Sequence, residues 1–154
     1  MKALVQRVKW AKVVVEGNTV GEIGTGLLTL FGVGHGDSET ETERMIGKIA
    51  KLRIFEDSAG KMNRSLLDLG ADGGHLLISQ FTLYADTSKG NRPSFGDAAK
   101  PEIAKVLYDR AVEISRSLGL KTATGIFGAH MEVSLLNDGP VTLMLDSAKE
   151  TPHE

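Results

Sequence analysis

Cysteine is absent from the 154-residue chain, which removes disulfides, thiolate nucleophiles and Cys-ligated zinc at once and suits a reducing compartment. No apolar run approaches the roughly 20 residues that a membrane-spanning helix needs, so no membrane association is expected. There is no basic excess either: the formal net charge is −2 and the pI about 6.1. Proteins that grip a long stretch of nucleic-acid backbone are strongly basic. The balance still permits contact with a short single-stranded end, where a pocket for one base supplies most of the selectivity. His35, His75, His130 and His153 are scattered, with no His-Glu-x-x-His spacing and no carboxylate cluster beside them, so neither a metal nor any other cofactor is expected. Aromatic residues make up only 5% of the chain, and Trp10, with no second aromatic nearby to build a stacking platform, reads as a packing residue. The amino terminus carries a charge within its first apolar stretch and no small-residue cleavage site, so no signal peptide is indicated and a cytoplasmic location is expected.

What is present reads as one soluble domain, 41% hydrophobic and 25% charged. Strands are expected over Ala3 to Val8, Ala11 to Glu16, Thr19 to Ile23 after a Gly17-Asn18 turn, and Gly26 to Val33. Ser38-Glu39-Thr40-Glu41 is a capping box opening a helix whose apolar residues Met45, Ile46, Ile49 and Leu52 recur at helical spacing. A strand follows at His75 to Phe81. Pro101 then sits in the first turn of a helix to about Leu118, with Ile103, Leu107, Ile114 and Leu118 as its buried stripe, and Gly119 stops it. Gly125 to Leu136 and Val141 to Leu145 make the last two strands. The expected class is α+β, a mostly antiparallel sheet with at least two helices packed on it, in one domain over 1–146 with a frayed tail over 147–154. Gly32-Val33-Gly34-His35-Gly36 follows a strand and precedes a helix, but Asp37 falls where a dinucleotide fingerprint wants glycine and no Lys-Ser or Lys-Thr follows, so it reads as a flexible connection.

Two segments carry the functional signal. In Asn137-Asp138-Gly139-Pro140-Val141-Thr142, Gly139 has no Cβ and Pro140 no N–H, so the pair can bring carbonyl oxygens to a ligand with no side chain in the way. The same residues are ordinary for a hairpin turn. The second segment is Ser79-Gln80-Phe81-Thr82-Leu83-Tyr84-Ala85-Asp86. Together they resemble the paired signatures of the D-aminoacyl-tRNA deacylases (D-tyrosyl-tRNA deacylase family). The likeness extends through Leu4-Val5-Gln6-Arg7-Val8, Arg53-Ile54-Phe55, Gly60-Lys61-Met62-Asn63 and Gly90-Asn91-Arg92-Pro93-Ser94-Phe95, in family order over nearly the whole chain.

The resemblance implies a barrel-like sheet and a homodimer with active sites at the subunit interface, acting on the aminoacyl-tRNA 3′ end. It implies a hydrolase that cleaves the ester of D-aminoacyl-tRNA, and of mischarged glycyl-tRNA, as translational proofreading. Its Gly-Pro bond is expected in cis and inserted into the partner's site, with two carbonyls fixing the substrate's α-amino group so that an L side chain collides with main chain. From sequence alone trans is favoured, since only about one X-Pro bond in twenty is cis.

Residue by residue, alternatives stay open. Thr82 is a candidate nucleophile, yet no His, Lys or carboxylate lies in its motif to activate a hydroxyl, and with Ser79 it equally suits a role satisfying backbone groups at a strand end. Gln80 cannot titrate; it can orient water or substrate but not act as a general base. Phe81 reads as core or as a stacking surface. Arg7 matches the family's amino-terminal arginine and can hold carbonyls of the Gly139-Pro140 segment, or form a surface salt bridge. Met131 corresponds to a pocket-lining position, or is core filler. Lys89 and Arg92 either meet phosphates of the acceptor end or are solvated loop charges. The resemblance points to water attack, with N–H groups near Phe81 and Thr82 holding the oxyanion. The rival reading is a non-enzymatic oligomeric protein that binds a small amine or amino acid through the same exposed peptide. A threonine-dependent amidase would require a base the motif does not display.

Overall fold

A computed structural model of the chain describes residues 1–150. Its spine is β1 (Lys2–Val15), which reverses through Glu16 and Gly17, both at positive φ (48° and 79°), into β2 (Asn18–Ile23). A two-residue turn with both central residues at positive φ matches the twist of the flanking strands. β3 (Gly26–Gly32) pairs antiparallel with the first half of β1, from Lys2 opposite Gly32 to Val8 opposite Gly26. Ser38 and Glu41 form the expected capping box, and α1 (Glu39–Lys51) buries Thr42, Met45, Ile46, Ile49 and Ala50. A short hairpin, β4 (Phe55–Glu56) with β5 (Met62–Arg64), and a one-turn helix α2 (Leu66–Leu69) lead into β6 (Gly74–Ser79). Then come α3 (Pro101–Ser117), β7 (Lys121–Thr124) and β8 (Glu132–Asp146), which lies antiparallel along nearly all of β1.

The sheet is mixed, not mostly antiparallel. β6 runs parallel to β3, and β7 parallel to β6. The cause is the order of elements: α1 lies between β3 and β6, and α3 between β6 and β7. A helix on the return path brings the chain back in the same direction. β3 and β6 are buried on both faces, which is why they read as continuous apolar runs. Leu27, Phe31 and Leu77 face the larger core beneath α1 and α3, whereas Leu28, Leu76 and Ile78 join Val8, Ala11, Val13 and Ile23 in a second cluster. The six-stranded sheet is nearly closed. At Gly21 a Cβ would lie 2.1 Å from the Thr124 carbonyl oxygen, so glycine is what lets β2 approach β7.

Other boundaries differ as well. The two amino-terminal strands are one, because Lys9 and Trp10 interrupt the apolar pattern but not the backbone, where a bulge lies opposite Asn137 and Leu136. Likewise β8 runs unbroken through Gly139 and Pro140, and the segment from Gly125 is not strand until Glu132. On α3, Ile103 and Leu118 are 52% and 37% exposed. The buried face is rotated toward Ala104, Leu107, Tyr108, Ala111, Val112, Ile114 and Ser115. It includes small and polar residues that a count of large apolar positions passes over. His75 is fully buried between the Thr29 hydroxyl (2.8 Å) and the Ser115 hydroxyl (2.9 Å), tying β3, β6 and α3 together. The tail expected to fray begins with a 3-10 turn, Ser147–Lys149, whose Ser147 N–H donates to the Met1 carbonyl at 2.9 Å; the expectation for 151–154 lies outside the described residues. Among the described residues no helix is long and apolar enough to cross a membrane.

Candidate functional site

The carboxyl end of β6 builds one half of the site. Ser79 pairs with Phe31, the Gln80 N–H donates to the Phe31 carbonyl at 2.7 Å, and the chain then winds into a 3-10 turn, Phe81–Tyr84. The turn packs directly on the segment after β3 because that segment has no side chains in its way. A Cβ on Gly32 would meet the Gln80 carbonyl oxygen at 3.0 Å, and one on Gly34 would meet the Tyr84 ring at 2.6 Å. Gly34 also bridges to Ala98 and donates its N–H to Asp37 Oδ2 at 2.7 Å. The stretch expected to be a flexible connection is thus a seat for the motif: Gly32 and Gly34 allow the close approach, while Gly36 faces open space at positive φ.

The turn leaves backbone donors free. Among the described residues the N–H groups of Phe81 and Thr82 make no backbone hydrogen bond, as the first N–H groups of any helical turn must. The Thr82 hydroxyl is exposed and takes a hydrogen bond from Gln80 Nε2. No His, Lys, Asp or Glu side chain hydrogen-bonds to it among the described residues. Ser79 and Gln80 are half-buried. Phe81 is not core: it is 54% exposed and stands edge-on to Phe95, ring centroids 5.1 Å apart.

Ser79, Gln80, Phe81 and Phe95 border a cavity of about 610 Å³, and Thr82 stands just outside its lining; the volume is within the ~300–1,000 Å³ usual for small-molecule sites. Its walls come from the ends of the parallel strands (Val33, Ile78, Ser79), the turn (Gln80, Phe81), Phe95, the start of α3 (Lys100, Pro101, Ala104) and the loop before β8 (Phe127, Gly128, Ala129, Met131). The ends of parallel strands are where such crevices form. Met131 lines the cavity, and room for its sulfur depends on Gly125, where a Cβ would lie 2.4 Å from Sδ. A larger groove of about 880 Å³ runs along α1 past Arg44, Lys48 and Lys51, but no residue of either motif lines it.

The second motif stands elsewhere. Between Gln6 opposite Thr142 and Val8 opposite Asn137, residues 138–141 bulge out of β8. It is a bulge within one strand rather than a hairpin turn. Gly139 (φ 135°) and Pro140 are exposed, their shared peptide bond is cis, and neither lines the cavity of their own chain. The base of the bulge is clamped: Asn137 Nδ2 donates to the carbonyls of Arg7 and Val141, both at 3.0 Å. Arg7 is 7% exposed and its fork is occupied, Nε donating to the Asp138 carbonyl (3.0 Å) and Nη1 to the Ile54 carbonyl (2.6 Å). The structure therefore brings Ser79, Gln80, Phe81, Thr82 and Met131 together and sets Arg7, Gly139 and Pro140 apart from them. Lys89 and Arg92 lie exposed on the loop and do not border the cavity.

Sequence reasoning named Phe95 only as the end of a family motif, with no site role, and passed over Lys100, Ala104, Phe127, Gly128 and Ala129. Only the pairing of strands with α3 brings them to the motif, and no local pattern announces it.

The D-Tyr-tRNA(Tyr) deacylase family model matches residues 4–146. A D-aminoacyl-tRNA deacylase of Desulfitobacterium hafniense (strain DSM 10664 / DCB-2) is 57% identical over 149 residues, 97% of this chain and 99% of that protein. One from Chloroherpeton thalassium (strain ATCC 35110 / GB-78) is 60% identical over 148 residues, 96% of each. Among solved structures, one titled c-Myc DNA Unwinding Element Binding Protein superposes with a TM-score of 0.87 at 40% identity, over 99% of this chain and 100% of that one. A probable eukaryotic D-amino acid tRNA deacylase shares the fold, with a TM-score of 0.80 at 17% identity over 94% of this chain and 97% of the other.

Proposed function

The chain belongs to the D-Tyr-tRNA(Tyr) deacylase family, and we propose that it hydrolyses the ester joining a D-amino acid, or mischarged glycine, to the 3′ end of tRNA. The observation that carries this reading is the cavity lined by Ser79, Gln80 and Phe81, apolar in most of its lining, with the main-chain N–H groups of Phe81 and of the adjoining Thr82 making no backbone hydrogen bond and no titratable side chain bonded to the Thr82 hydroxyl. An aminoacyl ester is already activated, so the needs are modest: a held carbonyl, an oxyanion site and an approaching water. The Phe81 and Thr82 N–H groups serve as the oxyanion site. Gln80, linked to the Thr82 hydroxyl, orients water or the substrate, and Thr82 positions rather than attacks.

Chirality is judged by the second motif. The exposed Gly139-Pro140 bulge, absent from the cavity of its own chain, enters the cavity of a partner copy and presents bare main chain to the substrate's α-amino group. Arg7 and Asn137 hold that main chain in position. An L side chain collides with it, whereas a D side chain points away. Because the filter never touches a D side chain, many D-amino acids pass, and glycine passes with nothing to collide. The working form is then a homodimer in the cytoplasm, with each site shared between subunits.

Incubation with D-tyrosyl-tRNA and L-tyrosyl-tRNA tests the reading. Release of tyrosine from the D ester alone is expected. Binding without release would favour the amine-binding alternative, and equal release from both esters would remove the chiral filter.

A further inference from the structure

Among the described residues sixteen line the cavity, and Lys100 is the one ionisable side chain of that set. Its main chain is fixed: the carbonyl accepts from the Ile103 and Ala104 N–H groups at 3.1 and 2.9 Å, and the preceding Ala99 donates to the Val33 carbonyl at 3.0 Å. The side chain is exposed and, among the described residues, has neither an ion pair nor a hydrogen bond. Lys105, one turn further along the same helix, is by contrast paired with Asp109 at 2.7 Å. An unpaired cation tethered to a fixed backbone position at the edge of an otherwise uncharged cavity favours a negative group on the ligand. Given the proposed function, the aminoacyl end cannot be that group, since its α-amino nitrogen would be repelled rather than attracted. The terminal adenosine is neutral. The nearest anion on such a substrate is the phosphodiester joining the last nucleotide to the one before it.

We propose that Lys100 is a positioning residue that takes this phosphodiester, so that the cavity holds the aminoacylated terminal nucleoside with its 5′ phosphate anchored at the start of α3. The assignment rests on the deacylase reading above. It gives Lys100 a task different from that of Lys89 and Arg92, which lie on the outer loop and meet no cavity wall. The phosphate is remote from the ester, so the contact is the same in ground and transition states and acts on KM rather than kcat.

The test compares wild type, Lys100→Gln and Lys100→Arg on two substrates, D-tyrosyl-tRNA and phosphate-free 3′-O-D-tyrosyl adenosine, with melting curves to verify folding. In Lys100→Gln the preference for the tRNA ester over the adenosine ester, as a ratio of kcat/KM values, should fall about fivefold, through KM on tRNA. The slope of log KM against log salt should flatten by roughly 0.7, the share of one phosphate on a single strand. Lys100→Arg should restore both. An unchanged ratio and salt slope, or an equal loss on the two substrates, would overturn the assignment. Wild-type protein inert on both esters would instead overturn the deacylase reading and this inference with it.

Discussion

Gly139→Ala is the substitution whose cost can be worked most directly from the bulge on β8. At φ 135° the residue occupies backbone space that is essentially reserved for glycine, and holding an alanine there costs about 1–3 kcal/mol. The added Cβ would also lie 2.8 Å from Val141 Cγ2, 3.0 Å from the Val141 nitrogen and 3.2 Å from Arg7 Nη2. Rotating Val141 relieves only the first of these. The bulge cannot swing away freely, because Asn137 pins both of its ends and Arg7 holds the Asp138 carbonyl. The shape seen here should therefore lose population to relaxed alternatives by roughly fivefold to a hundredfold. On the proposed role of the bulge as chiral filter, kcat/KM on D-tyrosyl-tRNA should fall by the same factor and the preference for D over L should narrow. Single-turnover hydrolysis of both esters measures this, with circular dichroism verifying that the fold persists. An unchanged rate together with an unchanged D over L preference would refute the assignment of the bulge as the chiral filter.

Three further outcomes are expected. Burial lowers the pKa of His75 from 6.5 to about 4, so the unfolded chain binds a proton that the folded one refuses. Stability from this group is complete above pH 6.5 and is lost as pH falls toward 4, by up to about 3 kcal/mol. Urea unfolding of wild type and His75→Gln across that window should show the extra slope in wild type only, and parallel curves would contradict it. Gly34→Ala drives a Cβ to 2.6 Å from the Tyr84 ring, which should cost about 1–3 kcal/mol and shift the turn that carries Thr82. Lowered melting temperature with lowered activity supports this, and wild-type behaviour in both counts against it. Thr82→Ala should retain substantial turnover if water attacks the ester. Near-complete loss of turnover with tRNA binding intact would make Thr82 the nucleophile.

Much of the fold was legible in local chemistry. The capping box at Ser38 and Glu41, Pro101 at the head of α3 and the first turn, expected at Gly17-Asn18 and found one residue earlier at Glu16-Gly17, each act over a few residues, so sequence alone reports them closely. Strand direction was misread because it depends on what lies between strands rather than within them. The order β3, α1, β6, α3, β7 was visible, and its crossovers demand parallel pairing. Unbroken β1 and β8 were misread for a related reason: Lys9, Trp10, Gly139 and Pro140 break a side-chain pattern while the neighbouring strand keeps the backbone extended. Of the candidate site, the stretch legible in sequence is the motif whose Ser79, Gln80 and Phe81 line the cavity. Its opposite wall, from Phe95, Lys100, Ala104 and Phe127, arrives by tertiary packing alone. The roles of Gly32 and Gly34 escaped because close approach by Gln80 and Tyr84 cannot be read from glycine spacing.

Subunit mixing tests most directly whether handedness is read in trans. Gly139→Ala keeps an intact cavity with a damaged bulge, and Ala129→Trp fills the cavity while leaving the bulge intact. Unfolded together in equal amounts and refolded, they should form mixed dimers in which one cavity meets one intact bulge. Random pairing makes about half of the dimers mixed, with one competent site of two, so it should add roughly a quarter of wild-type D-tyrosyl-tRNA hydrolysis to what the parents retain. A mixture no more active than its separate parents would contradict the account, because each site would then be built within a single chain.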